Sequence, residues 1–581
     1  MSRDTPRANR LWADLIVEEL VRSGVDFFCV APGSRSTPLV AALASNPEAR
    51  SLIHFDERGT AFAALGYARA TGKPAAWITT SGTAVANGLP AVVEAATDAV
   101  PMILLTADRP PELRETGANQ TVVQPNIFGG YTRWSFDLPA PDEAVDPAMV
   151  LTTVDQAVYR ARRAPSGPVH LNLMFREPFL PDEGPGEEPS VPARWQRSGE
   201  PYTRYAATRP AVDREEVEQL REALRPVKRG LVVAGRLANR EQGEAALRLA
   251  ESLGWPLLPD VGSQVRLGTH SKSLVAYHDA LLASEPFAEE HSPEAVLHLG
   301  GRALSKRLER LLTRSRPDPY VVVRENPFRL DPGHRVTHSV EADVVGFCTV
   351  LREAAGENSS VDPAWTAGWC EASGMVDLCL ERLFSETEKL NEPLVARLIS
   401  RNIPAGHGLC VASSMPIRDV DTFAATDGAP VPVAANRGAS GIDGTVATAA
   451  GFARGSGRPV TLLIGDLALL HDLNSLAILR ELPVVIVVLN NDGGAIFSFL
   501  PVARNKEFFE PYFGTPQGVS FEGAAKMFGL AYDLPLTAEE FVETYRAASA
   551  RRVPTLIEVR TDRKENVELH LKLLEGISAV I

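Results

Sequence analysis

The stretch VTLLIGDLALLHDLNSLAILRELPVVIVVLNNDGG, residues 460–494, decides the fold. It opens on an apolar run that ends at Gly465-Asp466. It passes through a helical spacing of Leu and Ala, and closes on a second apolar run at 483–489 before Asn490-Asn491-Asp492-Gly493. Strand, helix, strand is a crossover unit, which places its two strands parallel and often adjacent. Asp466 and Asn491 are therefore predicted at the carboxyl ends of neighbouring strands, the edge of an open α/β sheet where ligands bind. Asp466 offers a carboxylate, Asn491 an amide oxygen and Gly493 a main-chain carbonyl on a flexible turn. Those are hard oxygen donors suited to Mg2+, which also takes phosphate oxygens and water. Gly493-Gly494 leaves the backbone free to approach a diphosphate closely. The same short motifs are also ordinary turn chemistry after strands, so the strand–helix–strand frame carries the reading.

Outward from this unit the pattern repeats. Trp12, Leu15, Ile16, Leu20 and Val21 have helical spacing over 11–22, and Gly24 is a plausible stop. Phe27–Val30 reads as a buried strand before APGSRSTP; a helix follows at about 60–71, a strand at 75–79 and another at 102–105. Val169–Leu173 is predicted to close a first domain. The Pro/Gly/Glu run PDEGPGEEP at 181–189 reads as a linker. A second region has strands at 231–234, 295–299 and 320–323, then a polar break at 356–363. The third has strands near 409–412, 460–464, 483–489 and 556–559. Short apolar runs alternating with helices imply parallel sheets covered on both faces. The fold class is α/β, with three doubly wound parallel-sheet domains at 1–182, 183–362 and 363–581.

The bulk numbers fit this picture. A chain of 581 residues suggests about three or four domains at roughly 150 residues each. A net charge of −14 disfavours a nucleic-acid or anionic-membrane partner. Five cysteines without a CxxC pair read as free thiols in a reducing compartment. The N-terminal MSRDTPRANR has no signal-type apolar run, and PVVIVVL is too short to span a bilayer, so the expected location is cytoplasmic. Eleven histidines show no HExxH spacing, which disfavours zinc; no GxGxxG follows VVAG at 232–235, which disfavours FAD in the middle domain.

The 460–494 pattern resembles the GDG…NN signature of thiamine-diphosphate enzymes, with Leu467 in place of the final Gly and a slightly short spacer. That cofactor needs a carboxylic acid on N1′ of its aminopyrimidine, a Glu in an apolar, solvent-poor setting with its pKa tuned upward. Glu57 in HFDERG, after a short apolar run and before a helix, is the candidate; Asp56 and Glu94 compete, and a helix N-terminal charge is the plain alternative.

Further segments converge on one branch. They are PGSRSTPL at 32–39, TSGTAVAN at 80–87, LTADRPPEL at 105–113, GANQ at 117–120, NRGASGIDG at 436–444, IGDLALLHDLN at 464–474 and NNDGGAIFSFLP at 490–501. Together they resemble the 2-succinyl-5-enolpyruvyl-6-hydroxy-3-cyclohexene-1-carboxylate synthase family of menaquinone biosynthesis, from about residue 10 onward. The middle region resembles it least, through Lys306-Arg307 and LGWPLLPD at 253–260. The resemblance implies a pyrimidine-binding domain first, a central domain, and a diphosphate-binding domain last. It implies a homodimer at least, often a homotetramer, with active sites between subunits. It implies a transferase that decarboxylates 2-oxoglutarate and adds the succinyl carbanion to isochorismate by 1,4-addition.

Thiamine diphosphate and Mg2+ (or Mn2+) are the implied cofactors. Asp466, Asn491 and Gly493 are implied as metal ligands. Glu57, Ser81, Gly82, Ile442, Gly465, Asp466, Leu467, Asn491, Gly493, Gly494, Ile496 and Phe497 are implied at the cofactor. Glu57, Arg35, Arg109, Asn119 and Gln120 are implied as catalytic, and Ser34, Arg35, Arg109, Lys306, Arg307, Ser414, Arg418 and Arg437 as substrate-binding. Both substrates are dicarboxylates, and the planar Arg fork suits carboxylates. Ser414 and Arg418 could clasp one carboxylate, with Pro416 between them predicting an irregular turn over a plain helix. Another thiamine-diphosphate carboligase of acetolactate or benzoylformate type, or a catalytically silent paralogue, are the competing readings.

Overall fold

The computed structural model describes residues 5–181, 191–206, 208, 210–355, 361–387 and 389–581. The predicted linker at 181–189 lies almost wholly outside them, as does most of the 356–363 break.

Three parallel sheets carry the chain. The first holds β1 (Phe27–Val30), β2 (Arg50–Ile53), β3 (Ala75–Thr79), β4 (Met102–Asp108), β5 (Trp134–Leu138) and β6 (Pro168–Met174), in the order β2-β1-β3-β4-β6-β5. The second holds β7 (Gly230–Ala234), β8 (Leu257–Pro259), β9 (Ala295–Leu299), β10 (Tyr320–Arg324) and β11 (His338–Glu341), in the order β11-β10-β9-β7-β8. The third holds β12 (Gly408–Val411), β13 (Val433–Ala434), β14 (Val460–Gly465), β15 (Val484–Asn490), β16 (Ala531–Asp533) and β17 (Thr555–Arg560), in the order β13-β12-β14-β15-β17-β16. The first and third sheets thus have one topology, and the second has the same order without a sixth strand. The central strands are buried on both faces, as parallel strands under helices must be.

Two compact units divide the described chain. One takes residues up to 208 with Asn436–Gly457 and His471–Leu482; the other takes the second and third sheets. In the first unit, helix Glu57–Thr71 packs on helix Thr445–Ser456 through glycines. A Cβ at Gly66 would meet the Thr448 carbonyl oxygen at 2.0 Å, and one at Gly451 the Ala63 carbonyl oxygen at 1.9 Å. Only hydrogen fits there, so the two backbones touch.

The predicted helix after Asp466 is interrupted. A short helix, Asp466–His471, gives way to a 3-10 helix, Leu473–Glu481. Asp472 makes the break: its buried carboxylate accepts N–H bonds from Val446 and Ala447 (2.8 and 3.1 Å) and the Ser475 hydroxyl (2.7 Å). Pro416 also differs from expectation. It sits in the first turn of a regular helix, Met415–Phe423, where a missing N–H costs nothing.

Candidate active site

The third sheet positions the oxygen donors. β14 and β15 are neighbours in register, Gly465 opposite Leu489, so Asp466 and Asn491 emerge from the same sheet edge. Asp466 is buried; its two carboxylate oxygens accept N–H bonds from Leu467 and Gly493, both at 2.7 Å. Burial, with a smaller push from the charge of Asp492, raises its carboxyl to about 6 against the two N–H bonds and the more distant charge of Arg563. Gly493 has φ +134°, and a Cβ there would meet the Gly514 carbonyl oxygen at 1.9 Å. That position is open to glycine alone.

Asn491 donates Nδ2–H to Glu392 Oε1 at 2.8 Å, while its own Oδ1 is buried without a partner. An unpaired buried acceptor costs on the order of 1–3 kcal/mol. Such an atom beside a desolvated carboxylate is what a cation site looks like before its cation. Among the described residues, no three His, Cys, Asp or Glu side chains gather to hold a metal. A cation here would lean on one carboxylate, an amide oxygen, a main-chain carbonyl and phosphate oxygens, a donor set that fits Mg2+. Gly494 and the 3-10 turn Ala495–Phe499 follow, with half-buried Ile496 and Phe497, the latter edge-on to Phe513 at 5.4 Å. Across the switch between β12 and β14, Ser414 sits at φ +75° and Arg418 donates to its main-chain oxygen. The Arg418 guanidinium is therefore turned onto the backbone instead of standing free beside the Ser414 hydroxyl.

The glutamate belongs to the other unit. Asp56 caps helix Glu57–Thr71, accepting from Arg58 and Gly59 N–H (3.0 and 3.4 Å), which fixes Glu57 as the first helical residue. Glu57 Oε2 accepts from Asn87 Nδ2 at 3.0 Å. Its rivals are committed elsewhere. Asp56 is the cap, and buried Glu94 pairs with Arg69 at 2.6 Å and accepts from Gly438 and Ala439 N–H. The expected solvent-poor setting is absent in the single chain: Glu57 is half-buried, and Ile53, Phe55 and Leu89 around it are 68%, 61% and 38% exposed. Ile442 and Arg437 lie half-buried in the loop that leads to helix Thr445–Ser456. Buried His54 has Nε2 unpartnered and packs on Phe55; exposed His471 meets Arg58.

At the carboxyl ends of β3 and β4 the sequence-predicted cations converge. Buried Arg109 donates to the Ser81 hydroxyl, and Gln120 Nε2 to the Ser81 carbonyl at 2.9 Å. Buried Arg35 donates to the Phe175 carbonyl at 2.9 Å and pairs with Glu177 at 2.8 Å. Burial first, then the charge of Arg109, lowers its pKa, so two desolvated guanidiniums repel one another here. Ser34 and Asn119 are exposed. Gly82 has φ +85°, and its N–H is held by Gln124 Oε1 at 3.0 Å. Gln124, wholly buried, also donates to Asn172 at 2.9 Å. Sequence reading missed Gln124 and Glu392; neither belongs to a motif, and each meets its partner from a distant part of the chain. Lys306 is exposed, and Arg307 is committed to buried Asp279.

Residues 11–127 match the N-terminal TPP binding domain of thiamine pyrophosphate enzymes, 191–411 the middle domain, and 431–559 the C-terminal TPP binding domain. The fold and these matches define a thiamine-diphosphate enzyme. Curated relatives narrow the class. Proteins named 2-succinyl-5-enolpyruvyl-6-hydroxy-3-cyclohexene-1-carboxylate synthase are 64% identical in Rubrobacter xylanophilus (99% of this chain, 100% of the relative) and 52% in Salinibacter ruber (100% and 98%). One from Chlorobaculum tepidum is 46% identical (98% and 97%). The chain belongs to the 2-succinyl-5-enolpyruvyl-6-hydroxy-3-cyclohexene-1-carboxylate synthase family.

Proposed function

We propose that this enzyme joins 2-oxoglutarate, with loss of CO2, to isochorismate by 1,4-addition, giving 2-succinyl-5-enolpyruvyl-6-hydroxy-3-cyclohexene-1-carboxylate for menaquinone. The observation that carries the reading is end-to-end likeness, at 64% identity, to a relative bearing that product's name. Thiamine diphosphate, when bound, would supply the carbon nucleophile and the electron sink for the pair left behind as CO2 departs. The chain's residues bind, orient and move protons. Glu57 holds a proton against the pyrimidine ring of the cofactor. Asp466, the Asn491 amide oxygen and the Gly493 carbonyl hold Mg2+ or Mn2+ against the diphosphate, and Gly494 lets it approach. Ser81, Gly82, Ile442, Gly465, Leu467, Ile496 and Phe497 line the cofactor.

Arg35 and Arg109 receive substrate carboxylates; both are buried guanidiniums near one sheet edge, and for Arg35 this means sharing or leaving Glu177. Gln120, Asn119, Ser34, Arg418, Ser414, Arg437, Lys306 and Arg307 complete the substrate contacts, which for Arg307 and Arg418 requires leaving their present partners. The active unit is at least a homodimer, with Glu57 of one copy serving the cofactor of another. Exposed Ile53, Phe55 and Leu89 support this, since a second copy over them would supply the dry setting Glu57 needs. The domain limits fall at 182 and 362. Among the described residues no helix is long and apolar enough to cross a membrane; five free thiols support a cytoplasmic location.

The test is an assay with 2-oxoglutarate and isochorismate, with thiamine diphosphate present or omitted. Cofactor-dependent product formation is expected. Turnover of pyruvate, with no product from isochorismate, would overturn the assignment.

A further inference from the structure

Behind the oxygen donors lies a buried side chain that no motif includes. Glu392 opens helix Glu392–Asn402; Asn391 caps that helix by accepting Leu394 N–H at 2.9 Å, and Pro393 stiffens its first turn. Glu392 is 1% exposed. Its Oε1 accepts from Asn491 Nδ2 at 2.8 Å and from the Thr561 hydroxyl at 3.3 Å. Thr561 N–H in turn bonds the Asn490 carbonyl at 3.0 Å, tying this group to the end of β15.

An Asn amide has two ends of nearly equal shape, and only its hydrogen-bond partners decide which faces where. A carboxylate accepts and never donates. With the accepting Oε1 of Glu392 seated behind it, the NH2 of Asn491 points back and its oxygen forward. The forward oxygen is the buried, unpartnered Oδ1.

We propose that Glu392 is a positioning residue that locks the amide of Asn491 with its oxygen toward the divalent cation. The inference rests on Asn491 being a metal ligand. It adds that the ligand is competent only because an acceptor 99 residues away in sequence fixes its orientation. Without that acceptor the amide turns over in a fraction of molecules and offers the cation an NH2 group. Ligand-orienting partners of this kind typically carry 10–100-fold in metal affinity.

The experiment is a double-mutant cycle on the full-length protein. Mn2+ binding in the presence of thiamine diphosphate is read from the electron paramagnetic resonance of free Mn2+. Melting of each apo-protein verifies that it folds. Glu392→Ala is expected to weaken Mn2+ about 10–100-fold. Glu392→Gln, which still presents an oxygen to Nδ2–H, is expected to restore most of the affinity. In an Asn491→Ala background, Glu392→Ala is expected to cost nothing more. Affinity within twofold of wild type for Glu392→Ala, alongside a large loss for Asn491→Ala, would overturn the positioning role and leave the metal assignment standing. Fully additive losses would also overturn it, since Glu392 would then act other than through Asn491. Unchanged affinity in Asn491→Ala would remove the metal assignment itself.

Discussion

Asp466 accepts from two main-chain N–H groups and forms no ion pair among the described residues, and burial is the main cause that moves its carboxyl to about 6. Its neighbour Asn491 keeps a buried oxygen unused. Removing the carboxylate removes the sole formal charge that the protein brings to the donor set. Asp466→Ala is therefore expected to weaken Mg2+-dependent thiamine diphosphate binding by at least about 100-fold, more than the loss of a supporting group. Calorimetric titration with both ligands measures it, and undiminished binding would remove Asp466 from the site. Glu57 is a separate case, because its role is protonic. Glu57→Gln keeps the shape and can still accept from Asn87, but cannot hold and return a proton. Turnover should fall about 10²–10⁴-fold with the amount of bound cofactor unchanged; full turnover would contradict the role. Asp466 stood out from its strand–helix–strand frame, whereas spacing alone favoured a plain helix N-terminal charge for Glu57 and only the family resemblance singled it out. Glu392 and Gln124 were legible in neither way, because nothing in NEP or VQP announces a partner 99 or 42 residues away.

Elements show the same division. The buried central strands stood out as apolar runs. The strands that escaped the sequence reading, β5, β8, β11, β13 and β16, all lie at sheet edges. Edge strands are short and half-wet, so hydrophobic pattern hardly marks them; β13 has two residues and β11 only four, mostly exposed. Helix-to-helix contact was equally silent, since glycines in an apolar helix read as weak points, whereas Gly66 and Gly451 are contact points. Gly451→Ala sets two effects against each other. Helix propensity favours Ala by about 1 kcal/mol. The added methyl, however, meets a carbonyl oxygen that no rotamer can move away. Net destabilisation of about 1–3 kcal/mol is expected, read as a lowered melting midpoint; a raised midpoint would refute the contact.

A second element-scale prediction concerns the segment around Trp195 and Tyr202. Both donate to buried Glu19, and burial with neighbouring Asp155 lifts the Glu19 carboxyl from 4.5 to about 8. The folded state therefore keeps a proton that the unfolded chain releases. Between those values stability falls as pH rises. Glu19→Gln should flatten the pH dependence of the melting midpoint between about pH 5 and pH 8, whatever its own offset. An unchanged slope would mean that Glu19 is ionised in the fold.

At the scale of the whole molecule, the proposed assembly predicts complementation. Chains carrying Glu57→Gln and chains carrying Asp466→Ala are each expected to be inactive. Unfolded together and refolded, mixed dimers would contain one site with both groups intact, and about a quarter of wild-type activity should return. No recovery, with mixed dimers demonstrably formed, would place both groups of each site on one chain. The three-domain α/β plan was readable in advance, because strand–helix alternation repeats along the chain. The shared strand order of the first and third sheets was not, for topology can recur after sequence similarity has gone. The unit that holds Glu57 is completed by Asn436–Gly457 and His471–Leu482. On the ribosome, the opening two hundred or so residues must therefore wait while a further stretch of comparable length is made. At translation speeds of roughly 5–20 residues per second, that delay is on the order of tens of seconds. Throughout it the face of helix Glu57–Thr71 destined for its distant partner stands bare, so nascent-chain binding factors have a defined interval and a defined surface to guard.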